Sequence, residues 1–482
     1  MLRKILYIVL LLLLLVDLGY SFRQHLSQPL DGDMAGGIVP ENSIKPIFRS
    51  PLGTAVFFEH KTYPNPNRYF SHLMFKEYFN SVPVWLQSFV SPIDSVYLSC
   101  AIAKTAIQLL LILLLAMVIT GTKNVFRLDF MAAAVLITPF FQTNGYRGYM
   151  GIIDTSTTYT FFYALPIAIL MLYFLPFFWG YCHGQRFSKS IFVKFFLLPL
   201  ALVVCLSGPL NPGIVLVFAV VIFWDWMVKK YVASNQGGAV SKMLFAIKSI
   251  PEAYWFYFIP VVLFSLYSLF LGKYNSIDID NSVSLGRLYS KLPEGIYYQF
   301  TQKLGFPILF GILILNTFLI KKYFKTSEGR KVLNAFKIVG ISSLLYILLL
   351  PLGGYRPYRP YVLRYDTILP ITLSLIFIFG VTSLFLLKQM SGKQKVWYVP
   401  VIVGILLIFT NADKPEFDKN KCEKLALKEI AESNSKIVKI HEDCDVLSWQ
   451  RIVKPEDSEL NAQLLFLWKI TGEKKLYYYS QP

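Results

Sequence analysis

Two aspartates flanking a glycine, Asp31-Gly32-Asp33, open a long polar stretch directly after the first apolar segment of the chain. A carboxylate at a water–lipid boundary can take the proton of a hydroxyl group. Alternatively, the pair can hold a divalent ion such as magnesium or manganese, both of which prefer oxygen ligands. Residue type alone leaves both roles open. Asp-Gly is also a common turn and Asp a common helix cap, but the position at the membrane boundary favours chemistry. Far down the chain, the segment from Gly353 to Arg364 sets Arg356, Arg359 and Arg364 among tyrosines and prolines. A guanidinium group grips phosphate through two nitrogens and stays charged, and prolines stiffen the segment that carries it. The plainer role for such arginines is contact with lipid headgroups.

Further candidates are more scattered. Arg147 and Asp154 lie in one short polar segment, and Lys104 falls just inside an apolar run, where a charge is costly unless it faces a cavity. Asp17, at the far end of the first apolar run, is in a similar position. His60 and His72 could orient a polar ligand, and Asp278 with Asp280 forms a second acidic pair more simply read as a solvated loop. Phosphate-binding glycine loops, Gly-x-Ser-x-Gly and His-Glu-x-x-His patterns are missing from the sequence, which removes nucleotide hydrolysis, acyl-ester chemistry and zinc proteolysis.

The elements that must position these residues are apolar. Of 482 residues, 55% are hydrophobic and 16% charged, with a mean hydropathy of +0.50; soluble domains carry about 25% charged residues. The pattern predicts an all-α polytopic membrane protein with about 11 transmembrane helices. The first occupies 5–22, and the rest are near 96–120, 128–141, 159–178, 191–207, 213–228, 253–271, 306–320, 338–352, 368–387 and 397–409. The net charge of +18 does not signal nucleic acid, because Lys and Arg fall mainly in short gaps between apolar runs. Those gaps alternate, which puts the N-terminus in the cytoplasm and the C-terminus outside, as in a bacterial inner-membrane protein.

This reading gives a transmembrane domain over 1–410 and an extracytoplasmic tail over 411–482. Within the first, 23–96 forms a large extracytoplasmic loop, with short surface helices expected at 69–75 and 84–89. The tail reads as a small α/β unit: a helix at 421–432, a strand at 436–441, a helix at 458–471 and a strand at 476–479. Cys422 and Cys444 lie in that tail and can pair if it faces an oxidising compartment.

An acidic motif after the first helix, Pro29-Leu30-Asp31-Gly32-Asp33, then a large loop and a many-helix bundle, resembles the GT-C superfamily of polyprenyl-phosphate-sugar-dependent membrane glycosyltransferases. Many members carry Asp-Glu where this chain has Asp33-Met34. Arg364-Tyr365-Asp366-Thr367-Ile368-Leu369-Pro370 is similar to the Arg-Tyr-x-x-x-Pro often found before a late helix of that family. The resemblance implies transfer of a sugar from a polyprenyl-phosphate carrier to a glycan, lipid or protein acceptor. In it, Asp33 or Asp31 acts as base or metal ligand and the outer arginines as phosphate partners. Two other readings share the many-helix architecture. An O-antigen polymerase or ligase normally has its large loop late in the chain, and a transporter or flippase of lipid-linked sugars should show inverted repeats.

Overall fold

The computed structural model describes residues 1–141, 151–184, 191–235, 237–277, 283–302, 304–353 and 361–479, with side chains of the fifth apolar segment described from 195 onward. Arg147, Arg356, Arg359, Asp278 and Asp280 lie outside the described residues.

The chain is mostly helical. Its principal helices are α1 (Leu2–Leu26), α2 (Tyr69–Leu86), α3 (Pro92–Thr120), α4 (Leu128–Ile137), α5 (Thr157–His183), α6 (Ile191–Cys205), α7 (Asn211–Val232) and α8 (Glu252–Gly272). They continue with α9 (Gly305–Tyr323), α10 (Ser327–Leu349), α11 (Leu369–Gln389), α12 (Gly392–Ala412) and the tail helix α13 (Lys421–Glu432). Among the described residues, nine helices are long and apolar enough to cross a bilayer, which makes this an integral membrane protein. The shorter apolar helices Leu128–Phe141 and Phe195–Cys205 occupy the other two expected positions. Each is shorter than the roughly 20 residues that a ~30 Å hydrocarbon layer requires.

Local chemistry sets the helix ends. At the start of α3, Pro92 takes the first-turn position and the Ser91 side chain accepts the Asp94 N–H at 3.1 Å. The helix stops at Gly121, whose φ of +68° suits glycine. The expected short helices at 69–75 and 84–89 are one continuous helix, α2, up to Leu86. The prolines of the first loop argue against one long helix there, and Pro83, inside α2, does remove the N–H that would bond to the Phe79 carbonyl. That carbonyl instead accepts the indole N–H of Trp468, from the tail, at 3.0 Å.

The connections sort into two ends of the bundle. At one end the first loop meets the turn after α6 (Phe70 N–H to Leu206 O, 3.0 Å) and the turn after α8 (Tyr63 N–H to Tyr274 O, 3.2 Å). At that same end it meets the start of α5, where the Thr158 N–H reaches Asp31 at 3.0 Å. At the other end, Lys388 in the last turn of α11 lies 3.2 Å from Asp129 at the start of α4. There too, His183 at the end of α5 contacts the Val118 carbonyl near the end of α3 at 2.7 Å. This is the partition that alternating antiparallel helices require.

The tail closes over the first of these ends. Its strands, β1 (Ile437–Ile440) and β2 (Leu476–Tyr479), pair in parallel, and Cys422 is disulfide-bonded to Cys444. Its interior, including Leu427, Val446 and Trp468, belongs to the same continuous core as the membrane helices. The tail is thus packed against the first loop rather than hung from α12.

Candidate functional site

Where the first loop, the start of α5, the segment before α11 and the tail converge, charged side chains are buried. Asp31 is 4% exposed. Its carboxylate accepts the Thr158 hydroxyl at 2.7 Å, the Thr158 N–H at 3.0 Å and the Asp33 N–H at 3.2 Å. Asp31 therefore fixes the Asp-Gly-Asp turn to the start of α5, while the Asp33 side chain two residues on is exposed. Gly32 is required for a different reason. A Cβ there would stand 2.6 Å from the Trp449 backbone nitrogen and 2.7 Å from its ring. The tail backbone rests directly on the glycine between the two acids. Gly32→Ala is expected to displace the 448–449 segment and cost about 1–3 kcal/mol of stability. An unchanged thermal midpoint together with unchanged proteolysis of the tail would contradict that contact.

Lys104, 1% exposed on α3, donates to the Thr155 carbonyl. Its charge acts on Asp154, which in turn accepts the Ser156 N–H at 2.8 Å. On the far side Arg364 approaches Asp366, Nε to Oδ1 2.7 Å. This ion pair is held by charge and proximity: the buried Nε–H has no hydrogen-bond acceptor. Asp154, Asp366, Tyr159, Tyr163 and Tyr365 line one polar cavity of about 20 Å³, room for roughly one water molecule. Tyr163 sits on a π-helical turn, Thr160–Ala164, in the first part of α5; such turns are frequent at functional sites.

A second, apolar cavity of about 210 Å³ runs between α3, α5, α7, α10 and α11, from Tyr181 and Ala335 to Tyr346 and Pro370. Tyr346 stands on the side of the apolar cavity nearest the charged residues. It lines the apolar one and donates its hydroxyl at 2.9 Å to the Thr367 carbonyl, next to Asp366.

Two carboxyls outside the spans are shifted. Burial pushes Asp154 up to about 7, opposed by the Ser156 N–H and Lys104 and reinforced by the charges of Asp366 and Asp31. Burial likewise pushes Glu423 up to about 7, against its hydrogen bonds from Tyr97, Leu30 and Leu447. Unfolded, both titrate near 4. Between about pH 4 and 7 the folded state therefore holds more protons, so their stabilising contribution is complete below 4 and lost as pH rises through 7. We expect a lower thermal midpoint at pH 8 than at pH 5, and a smaller difference in the Asp154→Asn, Glu423→Gln double variant. An equal difference in both proteins would contradict the assignment.

Of the residues singled out in the sequence, Asp31, Lys104, Asp154 and Arg364 belong to this one neighbourhood. His60 does not. It is exposed, stacked on Tyr274 at 6.2 Å, beside the separate apolar cluster of Val56, Tyr63 and Leu271. His72 is buried with neither ring nitrogen hydrogen-bonded, packed 4.7 Å from Phe162, and burial pushes it down to about 3. Sequence reasoning missed Glu423, which holds Leu30 N–H at 2.8 Å and Tyr97 Oη at 2.7 Å. It also missed Thr158, Tyr163 and Trp449. Asp366, two residues after Arg364, had a legible signal in the Arg-x-Asp spacing. Among the described residues no three His, Cys, Asp or Glu side chains gather as a metal site, and both Asp31 oxygens already accept hydrogen bonds.

The fold and site define a polytopic helical membrane protein with a buried charged chamber at one end of its bundle. No family model matches the sequence, and neither a curated protein nor a solved structure is detectably similar to it.

Proposed function

We propose that this protein is a membrane glycosyltransferase that moves a sugar from a polyprenyl-phosphate carrier to a hydroxyl of a glycan, lipid or protein. The observation that carries the reading is the junction at Tyr346. There a wall residue of the apolar cavity within the membrane helices lies within electrostatic reach of the Arg364–Asp366 ion pair and bonds to the residue next to it. A ligand that fits both has a long apolar chain ending in an anion, which describes a polyprenyl phosphate. Arg364 is the phosphate partner: Asp366 holds its guanidinium through Nε, and a phosphate takes the fork of the other nitrogens.

The acceptor hydroxyl oxygen bonds to the anomeric carbon as the bond from that carbon to the phosphate oxygen breaks. Its proton passes to Asp33, the exposed carboxylate held at the rim by Asp31. The polyprenyl phosphate leaves with its charge set against Arg364. Asp154 and Asp366, in the polar cavity, receive hydroxyl groups of the acceptor. Arg147, Arg356 and Arg359 are proposed as further phosphate contacts. The chain crosses the membrane eleven times, α4 and α6 included, with its N-terminus in the cytoplasm and the chamber on the extracytoplasmic side of a bacterial inner membrane. Membrane lipids surround the helices.

The test is transfer itself. Purified protein in liposomes, given radiolabelled sugar on polyprenyl phosphate and a mixed envelope glycan fraction, should move label into the water-soluble fraction. No movement from any of several hexosyl and pentosyl carriers would reject the reading.

A further inference from the structure

The polar cavity, at about 20 Å³, has room for roughly one water and is far too small for a pyranose ring of about a dozen heavy atoms. Hydroxyl groups enter it; a ring must lie over it. Beside it is an aromatic pair. Tyr159 lines the cavity, and the Trp449 indole stacks on Tyr159 with ring centroids 6.4 Å apart and planes 28° apart. Trp449 keeps 55% of its surface exposed, although the residues just before it are tied into the tail.

The ties are many. The Leu447 N–H bonds to Glu423 at 3.3 Å, and the Leu447 carbonyl accepts from Asn461 at 3.1 Å. The Val446 carbonyl accepts the Tyr477 hydroxyl at 2.8 Å, and the Cys422–Cys444 disulfide anchors the start of the strap. Its other side rests on Gly32, one residue before Asp33. A large indole held rigid and left bare beside a polar cavity costs little entropy when a ligand covers it.

We propose that Trp449 is the acceptor platform: a pyranose of the acceptor glycan lays its apolar C–H face on the indole and turns its hydroxyls toward Asp33 and the cavity. This rests on the glycosyltransferase reading and names its acceptor as a carbohydrate rather than a lipid or a protein side chain. The platform lies on the tail, away from the apolar cavity that receives the carrier chain, so it serves the acceptor and not the donor.

Binding without donor tests this separately from transfer. The probe is a panel of soluble oligosaccharides built from glucose, galactose, mannose and N-acetylglucosamine, read by saturation-transfer NMR on the full-length protein in detergent. Wild type should bind at least one of them, Trp449→Ala should bind it about tenfold or more weakly, and Trp449→Phe should fall between. In a transfer assay Trp449→Ala should raise the acceptor KM while leaving the donor KM alone, a split that a merely structural role would not give. Trp449-dependent glycan binding in a protein that moves no sugar would reject the transferase reading and leave the platform standing. Binding unchanged in Trp449→Ala, or no binding by wild type to any member of the panel, would overturn it.

Discussion

Asp33→Asn should reduce sugar transfer by roughly 10²- to 10⁴-fold, the range that a positioned general base contributes, and leave the folding stability within about 0.5 kcal/mol of wild type. The two halves of this expectation come from one geometry. Asp31 spends its oxygens on Thr158 and on the Asp33 N–H, so the turn is held by the first acid and the second is presented at the surface. Asp31→Asn should therefore show the opposite balance: a measurable loss of stability, because Asn presents only one carbonyl oxygen to donors that now meet two, with activity falling as the turn loosens. Transfer rates and melting curves of the two variants, side by side, check the division of labour. Full activity in both would reject the first loop as the source of the base. A loss in Asp154→Asn with none in Asp33→Asn would move the base to Asp154.

Arg364→Lys should lower kcat/KM by about tenfold to a hundredfold. Lysine keeps the positive charge beside Asp366 but cannot present the planar fork that matches two phosphate oxygens. A hydrogen bond to a charged group is worth roughly 1.5–3 kcal/mol, and each 1.4 kcal/mol is a factor of ten. The loss should appear in donor KM and kcat and leave the acceptor KM unchanged, the reverse of the Trp449 split. Wild-type kinetics in Arg364→Lys would mean that this guanidinium pairs with Asp366 and does nothing more.

What could be read in the sequence follows from how local each signal is. Apolar runs and their basic gaps are local, and all of the expected runs are helical; α4 and α6 are short because their runs are short. The tail elements at 421–432 and 476–479 were likewise legible from periodicity. Pro83 misled because the group that compensates for it, the Trp468 indole, lies at the other end of the chain. The same distance hid Glu423, a carboxylate within a helix of ordinary amphipathic pattern that turns out to clamp Leu30 and Tyr97. Lys104 was legible because a lone charge in an apolar run needs polar company, and it finds the Thr155 carbonyl. His60 was a residue type without a context, and its context is the exposed side of Tyr274. The reason for Gly32 was invisible for the same cause as Trp449: only the folded chain brings 448–449 onto it.

The most direct measurement of the central claim is photo-crosslinking with a polyprenyl phosphate that carries a photoreactive group in its isoprenoid chain, followed by peptide mapping. Label is expected on residues facing the apolar cavity, such as Phe174, Phe218 and Ile338, displaced by unlabelled polyprenyl phosphate and weakened in Arg364→Lys. Label spread over the lipid-facing surface of α1 and α12, undiminished by competitor, would contradict it.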